Sequence, residues 1–66
     1  MNSDGEIARL RYRAAFDAYQ TCARRMAQRL ESGADLDAQE IDEETQAIER
    51  LARARRAFLE VITRPQ

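Results

Sequence analysis

The chain has 66 residues, a formal net charge of −1, 44% hydrophobic residues and 35% charged residues, which is not the composition of a disordered chain. A domain this short buries only about 60% of its unfolded surface, so it needs a disulfide, a metal or a partner. A single cysteine excludes an internal disulfide, and the lack of histidine removes the commonest ligand of transition metals. The composition therefore predicts a partner chain.

The first predicted helix begins near Ser3 or Asp4, either of which suits a helix N-cap. Polar residues then recur at intervals of three and four, as they do on the solvent side of a helix. Apolar residues follow the same spacing on the other side, and they form an arc wider than one two-helix seam requires. We place there Tyr12, Phe16, Tyr19, Ala23, Met26 and Leu30, with Ala8, Ala15 and Cys22 widening the strip.

The second helix has a specific start signal. Gly33 suits the position just past the end of the first helix, where the backbone turns left-handed. Asp37 suits the next N-cap, and Glu40 stands three residues later as in a capping box. Leu36 and Ile41 occupy the two positions of a hydrophobic staple.

The second helix is expected to stop before Pro65, which biases its predecessor away from helix. Its apolar side is expected to carry Ile41, Ile48, Leu51, Ala52, Phe58, Leu59 and Ile62. The sequence thus predicts one all-α domain, with a helix over about 4–32, a loop over about 33–36 and a helix over about 37–63. Because the loop is short, the helices should form an antiparallel hairpin.

The charges are unevenly distributed. Residues 34–49 hold seven acids and no base, whereas residues 50–66 hold five arginines and one acid. In the hairpin, the acids should lie beside Arg24, Arg25 and Arg29, and a second copy laid antiparallel would place its acidic end beside this basic end. We therefore expect an antiparallel homodimer, a four-helix bundle, with another helical protein as the alternative partner.

Two charged residues fall inside the predicted apolar side of the second helix, Glu44 and Arg55. One interpretation is that long arginine stems pack on the seam while their charged ends reach water. The other is that Glu44 pairs with Arg25 or with an arginine of a partner chain, which would fix register and partner choice.

The sequence predicts no enzyme, cofactor or metal site. Cys22 has no histidine to activate it and sits at an apolar mid-helix position, so we interpret it as structural. The acidic stretch over residues 35–44 lacks the spacing and central glycine of a calcium-binding EF-hand loop.

The expected location is the cytoplasm. The chain has no apolar run of about 18 residues and no visible signal peptide, and acids on both polar faces disfavour binding to a membrane surface. All eleven basic residues are arginine, which a GC-rich bacterial genome would explain.

The aromatic side chains of Tyr12, Phe16 and Tyr19 would suit stacking on nucleic-acid bases, although their helical spacing favours a core. A pI of about 5.4 is low for a nucleic-acid-binding protein, but a local basic patch can outweigh the total. The layout resembles that of the plasmid-encoded repressor-of-primer proteins. This resemblance, which is one of architecture, implies a dimeric four-helix bundle that binds paired RNA loops.

We therefore expect a non-enzymatic helical protein–protein interaction module, a small adaptor or regulator. The alternative is a four-helix bundle that binds RNA through arginines at the open end of the hairpin. The residues expected at the protein interface are Tyr12, Phe16, Tyr19, Met26, Ile48, Leu51, Phe58 and Ile62. The residues expected to contact nucleic acid are Arg9, Arg13, Arg53 and Arg56.

Overall fold

The computed structural model describes residues 3–64, which form two helices, α1 (Asp4–Glu31) and α2 (Ala38–Ile62). The helices pack along one another over an elongated shape of 52 × 17 × 15 Å. The predicted antiparallel helical hairpin is confirmed. Pro65, the predicted stop signal, lies outside the described residues.

Side-chain caps set the start of each helix. The Ser3 hydroxyl accepts a hydrogen bond from the Glu6 amide at 3.1 Å, which satisfies one of the amides that the first turn leaves unpaired. The Asp37 carboxylate does the same for the Glu40 amide at 2.7 Å. The Glu40 side chain turns away towards Arg29 on α1, where the ion pair described below forms.

A left-handed glycine ends α1. Gly33 has a φ of +78°, and its amide donates to the Leu30 carbonyl at 3.2 Å. The Ala34 amide donates to the Arg29 carbonyl at 3.0 Å, which completes a Schellman motif. This motif reverses the chain and directs it into α2.

The seam between the helices consists of residues at alternating intervals of three and four, the spacing of an antiparallel coiled coil. Its centre is made of small side chains, since the only buried residues between positions 3 and 64 are Ala8, Ala15 and Ala47, at 3–8% exposure. The rings of Tyr12 and Phe58 pack across it with centroids 5.6 Å apart. The seam residues are Gly5, Ala8, Tyr12, Ala15, Tyr19, Cys22, Met26 and Arg29 on α1 and Glu40, Glu44, Ala47, Leu51, Ala54, Phe58 and Val61 on α2.

The structure corrects the predicted centre of the α1 face. The sequence placed Phe16 and Leu30 in the middle and Ala8 and Ala15 at the margin, but the structure has the reverse. Alanine methyl groups let the two helix backbones approach closely, which larger side chains would prevent. The fully buried centre of the seam is therefore alanine, half-buried larger side chains such as Tyr12 and Phe58 complete the seam, and Phe16 and Leu30 lie outside it.

Candidate interaction surfaces

One side of the hairpin carries an exposed apolar surface, which we call the apolar face. Each of its large side chains belongs to the residue directly after a seam residue. In an antiparallel pair of helices, the positions that follow seam residues on α1 and on α2 lie on the same side of the hairpin. Exposures run from 43% for Phe16 to 62% for Leu30. The apolar face consists of Phe16, Ala23 and Leu30 on α1 and Ile41, Ile48 and Ile62 on α2.

The other side of the hairpin carries an open groove near the chain termini, which we call the arginine groove. Each charged residue in its lining either directly precedes a seam residue or lies one helical turn from one. The volume of the groove is about 630 Å³. The groove has a floor of small apolar side chains and arginines along both helices. It is lined by Asp4, Ile7, Ala8, Arg11, Ala14, Ala15, Arg50, Arg53, Ala54, Ala57, Val61 and Arg64.

The four arginines predicted to contact nucleic acid line three different depressions. Arg9 and Arg13 flank a shallow pocket beside Tyr12, Phe16 and Phe58. Arg53 lines the arginine groove. Arg56 lies in a third depression on α2, with Leu59 and Glu60 among its neighbours.

The residues predicted to form a protein interface divide into two groups. Phe16, Ile48 and Ile62 are on the apolar face, with 43–56% exposure. The other five are half-buried in the seam within the hairpin: Tyr12, Tyr19, Met26, Leu51 and Phe58. Sequence reasoning therefore did not separate the contacts within the hairpin from those available to a partner.

Several residues of the two surfaces were missing from the predicted site. Leu30 and Ile41 belong to the apolar face, and Arg11, Arg50 and Arg64 belong to the arginine groove. Once the seam is known, each is recognisable from its place relative to a seam position. The signal that was missed is the regular spacing of Gly5, Ala8, Ala15 and Cys22, which are too small to stand out as a core.

Ion pairs join the helices near the loop, where the charge pattern predicted them. Arg29 Nε lies 3.1 Å from a Glu40 carboxylate oxygen, and both atoms are shielded from solvent. Their contact is an ion pair rather than an aligned hydrogen bond. The Arg29 guanidinium also donates to the Asp35 carbonyl at 2.9 Å, so one side chain joins α1, the loop and α2.

The neighbouring pair is weaker and differs from the predicted one. Arg25 lies 3.8 Å from Glu43 rather than beside Glu44, and both side chains are largely exposed. Such a pair contributes only about 0–1 kcal/mol. Glu44 is half-buried in the seam, and its pairing with an arginine of another chain stays a prediction.

Replacing Arg29 with alanine should lower the free energy of unfolding by about 1–3 kcal/mol, because the change leaves the Glu40 carboxylate, whose side chain is only 15% exposed, without this arginine. Arg24→Ala is the matched control, since Arg24 is exposed on the same helix. Urea melts of both variants measure the difference. Equal losses of unfolding free energy in the two variants would show that the Arg29–Glu40 ion pair does not stabilise the loop.

Cys22 is half-buried in the seam. Among residues 3–64, no group of three histidine, cysteine, aspartate or glutamate side chains is placed to hold a metal ion. Within the same range, neither helix has the long apolar stretch that crosses a bilayer.

Comparison of the chain with protein-family models, with curated proteins and with solved structures found no match.

Proposed function

We propose that the protein is a non-enzymatic helical interaction module that packs its apolar face against another helical chain, and that a second copy of itself is that chain. The observation that carries the proposal is the exposure of five large apolar side chains, Phe16, Leu30, Ile41, Ile48 and Ile62, on one side of the hairpin. Large exposed apolar side chains that are grouped on one side of a fold are typical of interaction sites rather than of monomers.

The exposed area supports a partner of similar size. A compact monomer of 7.6 kDa exposes about 4,300 Å², whereas this chain exposes 5413 Å². The excess of about 1,100 Å² is comparable with the roughly 800 Å² that each partner buries in a standard interface. One hairpin of the same size is enough to cover it.

The positions of the apolar residues along the hairpin favour an antiparallel second copy. At a rise of about 1.5 Å per residue, Phe16 and Ile48 lie within about 5 Å of the hairpin midpoint. Leu30 and Ile41 lie about 14–19 Å towards the loop, and Ile62 lies about 18 Å towards the open end. Turning a second copy end for end would place its Ile62 beside Leu30 and Ile41 at both ends. Phe16 and Ile48 of both copies would then form the central layer.

The charges bordering the apolar face favour the same arrangement. Near the loop the border is mostly acidic, and near the open end it is mostly basic, with Arg24 and Glu6 as exceptions. An antiparallel copy would place acids beside arginines, and a parallel copy would place like charges together. The border acids are Asp17 near the midpoint and Glu31, Asp42 and Glu49, the border arginines are Arg13 and Arg56, and Arg9 and Arg55 directly follow seam residues and so lie on the face itself.

Sedimentation equilibrium over a range of protein concentrations tests the proposal. We expect a mass of twice 7.6 kDa, falling towards 7.6 kDa on dilution together with a loss of helical signal. A single-chain mass combined with cooperative melting and protected amides would contradict the proposal. A single chain that is unfolded by itself would point instead to a different helical partner.

A further inference from the structure

The arginine groove has a strongly positive local charge in a chain whose net charge is −1. Its arginines stand on both helices, with Arg11 on α1, Arg50 and Arg53 on α2, and Arg64 just beyond α2. Among residues 3–64, Asp4 is the one acid in the lining, so four arginines and one aspartate give these side chains a local charge of +3. An occupant of the groove must therefore be acidic along its length.

The floor of the groove is apolar and made mainly of small side chains. Ala8 and Ala15 are buried at its base, Ala54, Ala57 and Val61 of α2 continue it, and Ile7 is its one larger side chain. Because most of the floor is alanine, an added helix can approach the backbones of both helices. An occupant must therefore present an apolar stripe as well as acids.

The shape of the groove suits a helix rather than a small molecule. Binding pockets for small molecules cover 70–90% of the ligand surface, whereas this groove is not enclosed and stays open to solvent. The lining runs from Arg50 on α2 to Arg64 just beyond it, about 21 Å at 1.5 Å per residue, or about four helical turns. A helix of that length would contact the alanine floor and the arginines on both sides at once.

We propose that the arginine groove binds an acidic amphipathic helix of another protein, with the apolar stripe of that helix on the alanine floor and its glutamates or aspartates paired with Arg11, Arg50, Arg53 and Arg64. This mode is the helix-in-groove form of recognition. The groove and the apolar face lie on opposite sides of the hairpin, so each copy in a dimer keeps its own groove. The proposal does not depend on dimerisation.

Two other occupants fit the groove less well. A nucleic-acid backbone would meet the guanidinium groups but leave the alanine floor uncovered. The acidic segment of a second copy carries Ile41 and Ile48 on the apolar face, the surface that the proposed dimer already buries. An acidic amphipathic helix satisfies both the charge and the floor.

The probe is a fluorescein-labelled synthetic helix of about four turns, with alanine and leucine at every third and fourth position and glutamate elsewhere. Fluorescence anisotropy should show binding at low salt that weakens as salt rises. The double variant Arg50→Glu/Arg53→Glu should weaken binding by about tenfold or more. The double variant Arg13→Glu/Arg24→Glu makes the same charge reversal outside the groove and should leave the affinity within about twofold.

Three further arms make the test decisive. Ala57→Leu fills the floor without changing charge and should also weaken binding, while circular dichroism checks that the helices are intact. A scrambled peptide of the same composition lacks the apolar stripe and should bind more weakly. Amide shifts in ¹H–¹⁵N spectra should fall on residues 4–15 and 50–64.

Several outcomes would overturn the proposal. These are no binding at low salt, equal binding of the scrambled peptide, and equal losses from the charge reversals inside and outside the groove. Amide shifts centred on the apolar face would place the peptide on the wrong surface. Stronger binding of a labelled single-stranded RNA, weakened by the same arginine changes, would assign the groove to nucleic acid instead.

Discussion

Ile48→Glu is expected to dissociate the protein and to lower its free energy of unfolding by about 3 kcal/mol or more per chain. In the hairpin alone, Ile48 is 45% exposed, and glutamate is at least as good a helix former as isoleucine. The change should therefore be neutral or slightly stabilising for an isolated hairpin. In the proposed dimer, the glutamates of both copies would enter the central apolar layer without partners. Each dimer would therefore bear the free energy of burying an unpaired carboxylate twice.

Leu10→Glu is the matched control for this experiment. Leu10 is 48% exposed, nearly the same as Ile48, but it lies two positions beyond the seam residue Ala8, at the border of the apolar face rather than in one of its layers. This substitution should change stability by no more than about 0.5 kcal/mol. Thermal melts and sedimentation equilibrium at matched concentrations compare the two variants. A folded Ile48→Glu protein with an unchanged mass would show that the apolar face is not the self-association surface.

The hairpin itself follows from local signals in the sequence. Gly33 and Asp37 act through the backbone of their own turns, and the structure has the Schellman motif and the N-cap at these residues. The Arg29–Glu40 pair also follows, because a short loop leaves little choice of register between the two helices. Signals of this kind need no knowledge of what else packs against the helices.

The division of the apolar residues between two surfaces did not follow from the sequence. α1 carries large apolar residues over an arc too broad for one seam, and size suggested that Phe16 lay at its centre. The close approach of the helices instead selects small residues, so Ala15 occupies the centre. Periodicity gives the angular spread of apolar residues, but only the packing of the second helix decides which part of the spread it covers.

The grouping of the arginines could not be predicted from the sequence either, because it also depends on how the second helix packs. A shift of two positions on either helix moves an arginine from one side of the seam to the other. Arg9 and Arg11 are two residues apart, yet one flanks the shallow pocket beside Phe16 and the other lines the arginine groove. A basic patch inferred from chain position alone therefore merged residues that face in different directions.

Ala15→Leu should lower the free energy of unfolding by about 1–3 kcal/mol. Ala15 is 3% exposed, and Ala54 of the opposite helix lines the same groove floor, so three added carbon atoms would push the helices apart. Leucine is nearly as good a helix former as alanine, so the loss would report packing rather than helix propensity. Since a chain this small has a total stability of only about 3–5 kcal/mol, the loss would be a large part of it.

Ala14→Leu is the control, because it adds the same atoms one residue away at an exposed position. Urea melts should leave this variant within about 0.5 kcal/mol of the parent protein. Comparing the two leucine variants distinguishes a seam centred on Ala15 from a seam centred on Phe16. If Phe16 were the centre, Ala15 would lie at its margin, where leucine would be tolerated, and Phe16→Ala would be the more damaging change. Because the structure centres the seam on alanine, we expect Ala15→Leu to lower the free energy of unfolding more than Phe16→Ala does. Equal stability of the Ala14→Leu and Ala15→Leu proteins in urea would contradict a seam centred on Ala15.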